Sequence, residues 1–269
     1  VDAVKFNQQI KYRPKRVKTY DELSEEKGNI LLFNNSVAQV AIATNSVDAI
    51  ITDPPYGSNV QYLELSHFWY PWNKDLYERY PVFELEAISN RKKGFKGAKD
   101  QYTYENNLEP VFAKAYDCLK QDKYMTLTFN NKDMSSWLAL LFSIFKAGFE
   151  FVDMYFQDGV KNYKQTAHTK AAGSPYGDFI YVFRKSVPKN IIEYTSEEQF
   201  IQDIDRLFNF EVLQGEDRNT LILNAFIEAI PMICGFTNSY LAAVGHHSLY
   251  SHFNKNYLSK LYTIEDENE

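Results

Sequence analysis

Apolar residues in this chain repeat every second position in some stretches and at helical spacing in others, and the alternation predicts an α/β fold. Asn29–Asn34 reads as a short apolar strand, and Ser36 to Gln39 fits a capping pattern that opens a short helix through Ile42. Val47–Thr52 is a buried strand bounded by turn residues. Tyr62 to Trp72 predicts an aromatic helix packed in the core, through Tyr62, Phe68, Trp69, Tyr70 and Trp72. Pro110–Lys120 predicts a helix with proline in its first turn. Tyr124–Phe129 is the next strand, and Met134–Ala147 is a strongly apolar helix closed by Gly148. Phe149–Phe156 and Phe179–Phe183, separated by a long polar loop, read as an antiparallel hairpin ending a doubly wound sheet.

The C-terminal third has a different texture. Thr195 and Glu198 form a capping box before Phe200, Ile201, Ile204, Leu207 and Phe208 at helical spacing. Leu221–Ile230 predicts a further helix broken at Pro231, and Ser239–Tyr262 predicts one or two more before a frayed acidic tail. The expected divisions are an N-terminal basic segment, 1–28, a catalytic region, 29–186, and a helical region, 187–269.

Chemistry concentrates at Asp53-Pro54-Pro55-Tyr56. Two successive prolines lack the N–H a sheet ladder needs, so the strand stops at Asp53. Its carboxylate then lies at the C-terminal edge, where open α/β sheets bind ligands. An exocyclic amine on adenine or cytosine is a poor nucleophile because its lone pair is delocalised into the ring. Two acceptors, the Asp53 carboxylate and the Pro54 carbonyl held by Pro55, can bond both N–H groups and free that lone pair. Tyr56 offers a ring on which the base can stack, a contact worth roughly 1–3 kcal/mol.

Composition narrows the setting. An aromatic content of 16% and a hydrophobic content of 45% exclude a disordered chain. No apolar run approaches the ~20 residues of a membrane span. The sequence has no signal-peptide h-region, and its only cysteines are Cys118 and Cys234, so a reducing cytoplasm is expected. The net charge of −6 hides three basic clusters. One is Lys11, Arg13, Lys15, Arg16 and Lys18; the second is Arg91, Lys92, Lys93, Lys96 and Lys99; the third is Lys161, Lys164, His168 and Lys170. The second and third are expected to hold duplex phosphates near Asp53. His246, His247 and His252 lack the spacing of a metal site, and no metal is expected.

The four-residue string resembles the catalytic motif of S-adenosylmethionine-dependent amino-methyltransferases. The stretch from Asp53 to Trp72, with Asn59, Val60, Tyr62, Leu65 and Ser66, resembles a bacterial subgroup of adenine-specific DNA methyltransferases. His168–Lys185 is similar to that subgroup's closing hairpin, and the resemblance covers roughly residues 28–186. It implies a Rossmann-like sheet and methyl transfer from S-adenosylmethionine to N6 of an adenine flipped out of DNA. It also implies catalytic roles for Asp53, Pro54, Pro55 and Tyr56, and a cofactor site at Asn34, Asn35, Asp53 and Pro54. The alternatives are an N4-cytosine enzyme, an RNA adenine enzyme, or a non-catalytic DNA-binding subunit.

One departure stands out. Such enzymes hold the cofactor on a glycine-rich strand-to-helix turn, and none of the 11 glycines here forms a Gly-x-Gly pair. Residues 29–35 read as the family's third strand, so the sheet is expected to be incomplete. It would then be completed by a cofactor-binding segment or subunit, and a restriction endonuclease is a further candidate partner.

Overall fold

The computed structural model describes residues 13–73, 83–90, 94, 97–131, 133–158, 177–187, 191–208, 218–241 and 247–253. Two short strands, β1 (Arg16–Val17) and β2 (Ile30–Leu31), pair in parallel around helix α1 (Tyr20–Ser24) and form a sheet of their own. The main sheet contains β3 (Val47–Thr52), β4 (Leu119–Phe129), β5 (Glu150–Asp158) and β6 (Gly177–Arg184), in the spatial order β3-β4-β6-β5. β3 and β4 are parallel, and β6 runs antiparallel between β4 and β5.

The expected hairpin is therefore present, with its second strand inserted beside β4. The expected third family strand is not in this sheet. Asn29 binds it to the N-terminal segment instead: its side chain accepts from the Lys15 amide at 2.7 Å and donates to the Arg13 carbonyl at 3.2 Å. The short helix expected from Ser36 shrinks to a single 3₁₀ turn, Val37–Gln39, because the Ser36 side chain makes no cap bond.

Strand register sorts the side chains by face. Ile50 lies opposite Met125, Met125 opposite Phe183, and Phe183 opposite Phe151. This face is the core, where Met125, Leu127, Phe129, Phe179, Tyr181 and Phe183 are buried. Helices α4 (Gln101–Cys118) and α5 (Met134–Lys146) cover it. Trp137 of α5 packs against Phe129, Phe179 and Tyr181, with ring centroids 5.2–5.8 Å away.

The C-terminal helices α6 (Glu197–Leu207), α7 (Arg218–Phe236) and α8 (His247–Phe253) enter the same core. Phe226 stacks on Trp137 at 4.1 Å. The Tyr250 hydroxyl bonds to fully buried Glu105, which also takes Lys146 at 2.6 Å.

Several element bounds differ from the sequence reading. Helix α4 begins nine residues before Pro110, at an N-cap where Asp100 accepts from the Thr103 amide at 2.8 Å. Pro110 sits inside the helix, as does Pro231 inside α7, which was expected to break there. Packing on the core outweighs the single backbone bond each proline removes. Ser196, not Thr195, caps α6, accepting from the Gln199 amide at 3.2 Å.

The aromatic helix was expected in the core. It forms two short pieces, α2 (Tyr62–His67) and α3 (Tyr70–Asn73), with Phe68, Trp69 and Trp72 exposed and packed on one another. The break falls at Phe68 and Trp69, between the two pieces; Pro71, the second residue of α3, has no N–H to bond back across it, and the continuous face a core helix needs is lost.

Candidate active site

β3 delivers Asp53 to the C-terminal rim of the sheet, where β4 also ends and antiparallel β6 begins. Asp53 is exposed, Pro54 is buried, and Pro55 and Tyr56 are half-buried. The Thr128 hydroxyl, at the end of β4, donates to Asp53 Oδ1 at 2.9 Å. The Tyr56 hydroxyl donates to Thr128 Oγ1 at 3.3 Å, completing a Tyr56–Thr128–Asp53 chain. Thr128 thereby fixes one carboxylate oxygen of the exposed acid. The Pro54 carbonyl takes no hydrogen bond among the described residues, so a second acceptor stands beside the acid.

The loop is held from below by buried groups. Tyr104 of α4, fully buried, donates its hydroxyl to the Pro55 carbonyl. Asn131, also buried, donates to the Tyr56 carbonyl at 3.0 Å and accepts from the Asp133 amide at 2.8 Å. Gly57 turns the chain with φ +54°, and a Cβ there would lie 2.5 Å from Ser136 Oγ and 2.9 Å from Asn131 Nδ2. Only glycine fits both the left-handed backbone and the space. The Tyr56 ring rests on Phe129 at 5.1 Å with the planes tilted by 50°. Burial pushes the Tyr56 phenol well above its ordinary range, so it remains a neutral donor.

Asp178, the second residue of β6, faces the same rim. Its carboxyl lies 3.5 Å from the Tyr56 hydroxyl. Burial, then the charge of Asp53, raises its pKa above the usual carboxylate value. Tyr62, opening α2, also has its pKa raised, by burial and then by the Asp53 charge.

Four residues of this arrangement escaped the sequence reading: Tyr104, Thr128, Asn131 and Asp178. The strand-end rule that selected Asp53 also points to Thr128 and Asn131, at and just past the end of the neighbouring parallel strand. Asp178 opens the second strand of the expected antiparallel hairpin, and only the insertion of that strand beside β4 brings it to the rim. Tyr104 lies within a helix that carries no motif, and only its burial marks it.

The other predicted residues are placed differently. Asn34 and Asn35 are exposed and outside the main sheet, and Asn35 bonds only to the next residue's amide, at 2.8 Å. Lys99 is turned onto Glu86. Its ammonium bonds the Glu86 carbonyl at 2.8 Å and pairs with the Glu86 carboxylate at 3.7 Å, with the side chain 9% exposed. Burial lowers its pKa, against the opposing pull of Glu86. The ion pair offsets part of the cost of shielding the Glu86 carboxylate from water; that carboxylate also accepts from the Leu63 amide of α2 at 2.9 Å, and the Lys99 amide separately donates to Asn90 Oδ1 at 2.7 Å. Arg91, Lys92, Lys93, Lys96, Lys161, Lys164, His168 and Lys170 lie outside the described residues, as does Lys11. Of the three C-terminal histidines, the ring of His252 lies 3.3 Å from Asp205.

The DNA methylase family model for N6 and N4 amino-methylation matches residues 47–231, more than half of the chain, and the chain belongs to this family. The family is S-adenosylmethionine-dependent. Among solved structures, the chain is similar to a DNA modification methylase candidate from Thermus thermophilus in complex with S-adenosyl-L-methionine. The identity is 15% over 64% of this chain and 61% of that one, with a TM-score of 0.33. It is also similar to the PvuII DNA methyltransferase (cytosine-N4-specific), with 12% identity over 67% and 62% of the two chains and a TM-score of 0.33. This chain spans about three fifths of the length of the solved structures it matches. No curated protein matches it in sequence. No helix among the described residues is long and apolar enough to cross a membrane.

The glycine nearest the rim, Gly57, has its open side filled by Ser136 and Asn131. The Gly28, Gly177 and Gly235 positions are likewise closed by the protein's own backbone. Gly94 and Gly97 are unobstructed, but neither lies on a turn from a main-sheet strand into a helix, so no open glycine among the described residues stands where such a turn would cradle S-adenosylmethionine.

Proposed function

We propose that this chain carries the target-base half of a DNA amino-methyltransferase site and that its substrate is the N6 amine of an adenine turned out of the duplex. The observation that carries the reading is the pair of acceptors at the rim: an exposed Asp53 carboxylate oriented by Thr128, beside an unbonded Pro54 carbonyl.

A planar amine placed between them donates one N–H to each. Bonding both N–H groups draws the nitrogen away from conjugation, and its lone pair then points out of the ring plane. Thr128 donates to Asp53 and so keeps the carboxylate an acceptor toward the base. Tyr56, neutral and anchored through its hydroxyl, presents its ring to the base. The buried props Tyr104 and Asn131 hold the loop in this shape before substrate arrives, so little reorganisation is needed on binding. Adenine rather than cytosine is supported by the resemblance of Asn59 to Ser66 to the adenine-specific subgroup. The basic residues Arg91, Lys92, Lys93, Lys96, Lys161, Lys164, His168 and Lys170 supply the phosphate contacts.

The test needs no methyl donor. Two duplexes are compared, one with a single extrahelical adenine and one with extrahelical purine, which lacks the amine. The adenine duplex should bind about tenfold tighter or more, since a hydrogen bond to a charged group contributes ~1.5–3 kcal/mol. Asp53→Ala should erase that difference without erasing duplex binding. Equal binding of both duplexes by the unaltered chain would sink the proposal, and preference for the same base in single-stranded RNA would redirect it.

A further inference from the structure

A second carboxyl stands at the rim, and the amine site makes no use of it. Asp178 is the second residue of β6, just before the point where Phe179 pairs with Phe129 at the end of β4. It is half-buried, and its Oδ1 lies 3.5 Å from the Tyr56 hydroxyl. From Tyr56 the chain of hydroxyls runs to Thr128 at 3.3 Å and on to Asp53 at 2.9 Å, so the two acids sit at its two ends. Among the described residues, the charged or titratable groups that act on Asp178 are Asp53 and Tyr56. Its partner in register on β5, Gln157, is neutral, and so are Thr128 and Phe129 on β4. Two carboxylates at one rim without a cation between them cannot both ionise cheaply. Asp53 is the exposed member and accepts from Thr128, whereas burial, then the Asp53 charge, raises the pKa of Asp178. Asp178 is therefore the member that takes up a proton.

An adenine held by its amine brings a second polar atom to this rim. Ring nitrogen N1 lies one carbon away from N6 and carries a lone pair in the plane of the base. Asp53 and the Pro54 carbonyl are acceptors, so they satisfy the amine and give N1 nothing. The donors beside them are engaged: the Thr128 hydroxyl with Asp53, the Tyr56 hydroxyl with Thr128, and the Asn131 amide with the Tyr56 carbonyl. An ionised carboxylate would repel the N1 lone pair, but a protonated one has an O–H to donate. We propose that Asp178 is a specificity residue for the target base, donating a hydrogen bond from its protonated carboxyl to the ring nitrogen beside the amine. Adenine and cytosine present an amine next to a bare ring nitrogen; guanine and thymine present a carbonyl next to an N–H. Asp53 and Asp178 together read both atoms of that pair, and a wrong base leaves buried polar groups unpaired. Bound base and bound proton then stabilise each other. The inference rests on the amine-site reading above. Its test compares two bases that both carry the amine, so the two can fail separately.

The experiment measures binding of duplexes with one extrahelical adenine or one extrahelical 1-deazaadenine, which keeps the amine and has C–H in place of N1. No methyl donor is needed. At about pH 5 the unaltered chain should bind the adenine duplex about three- to tenfold tighter, the range of one added hydrogen bond. The donor is the protonated form, so the ratio should fall toward one as the pH rises through the raised Asp178 pKa. Asp178→Asn has an amide N–H at every pH; it should keep the preference and lose its pH dependence. Asp178→Leu should bind both duplexes alike. A ratio near one for the unaltered chain at every pH would overturn the inference. So would a preference independent of pH, which would assign the donor to a group such as the Tyr62 phenol, raised and neutral throughout. If Asp178 only steadied the Tyr56 hydroxyl, its variants would weaken both duplexes equally and leave the ratio unchanged, and that too would overturn it. Equal binding of adenine and purine, with adenine still preferred to 1-deazaadenine, would sink the amine site and support the Asp178 contact.

Discussion

Replacing Gly57 with alanine probes whether the rim loop is held by its backbone shape. Gly57 has φ +54°, a region that costs an L-residue ~1–2 kcal/mol. Its new Cβ would stand 2.5 Å from Ser136 Oγ, 2.9 Å from Asn131 Nδ2 and 3.0 Å from Ser136 Cβ. Ser136 is on α5, and its hydroxyl accepts from Gln101 at 3.1 Å, so it cannot swing away without cost. Asn131 is buried and holds the Tyr56 carbonyl. Overpacking of this kind costs ~1–3 kcal/mol, giving a total of ~2–5 kcal/mol. At ~2–4 °C per kcal/mol, the melting temperature should fall by roughly 4–20 °C. The extrahelical-adenine preference should disappear, because the strain is relieved by moving Asn131 and with it the Asp53–Tyr56 loop. Adding Ser136→Ala removes the closest atom and should restore part of the stability, while the backbone cost stays. The assays are thermal unfolding and the two-duplex binding comparison. A Gly57→Ala chain with unaltered melting and unaltered preference would refute the reasoning; complete rescue by Ser136→Ala would refute its backbone part.

Tyr104→Phe should leave the Pro55 carbonyl buried without its donor and cost ~1–3 kcal/mol in denaturant unfolding, with weakened adenine preference. Trp137→Ala should open a cavity among Phe129, Phe179, Tyr181 and Phe226, costing ~3–5 kcal/mol by the same measurement. Asp178 has a raised native pKa, so the native state binds its proton more tightly than the unfolded chain does. Its effect is therefore least harmful below the unfolded carboxylate pKa, and stability declines as pH rises through the raised native value. Asp178→Asn should flatten that acid-side decline in melting temperature measured across pH, and an unchanged profile would remove Asp178 from the rim electrostatics.

Much of the fold was legible because local chemistry enforced it. The run Val47–Thr52 ended by two prolines reads as a strand stopping at Asp53, since neither proline can extend a ladder, although it is half-exposed and not the buried strand expected. Met134–Lys146 is apolar enough to be a core helix in almost any α/β context, and Gly148 at φ +99° closes it as its sequence suggests. The same locality made the Asp53–Tyr56 motif readable. What depends on distant partners was not legible. The placement of Asn29 in a separate small sheet, the passage of α4 through Pro110 and α7 through Pro231, and the turning of Lys99 onto Glu86 are each decided by a neighbour far along the chain. So is the gathering of Tyr104, Thr128, Asn131 and Asp178 under one loop, from α4, the end of β4 and the start of β6. The sequence by itself determined which residues can accept an amine, because that follows from their chemistry and from the strand that carries them. Only the tertiary structure decided which buried groups hold them in place and which face of the sheet is left uncovered. Burial and pairing are properties of the packed chain, and no single segment contains them.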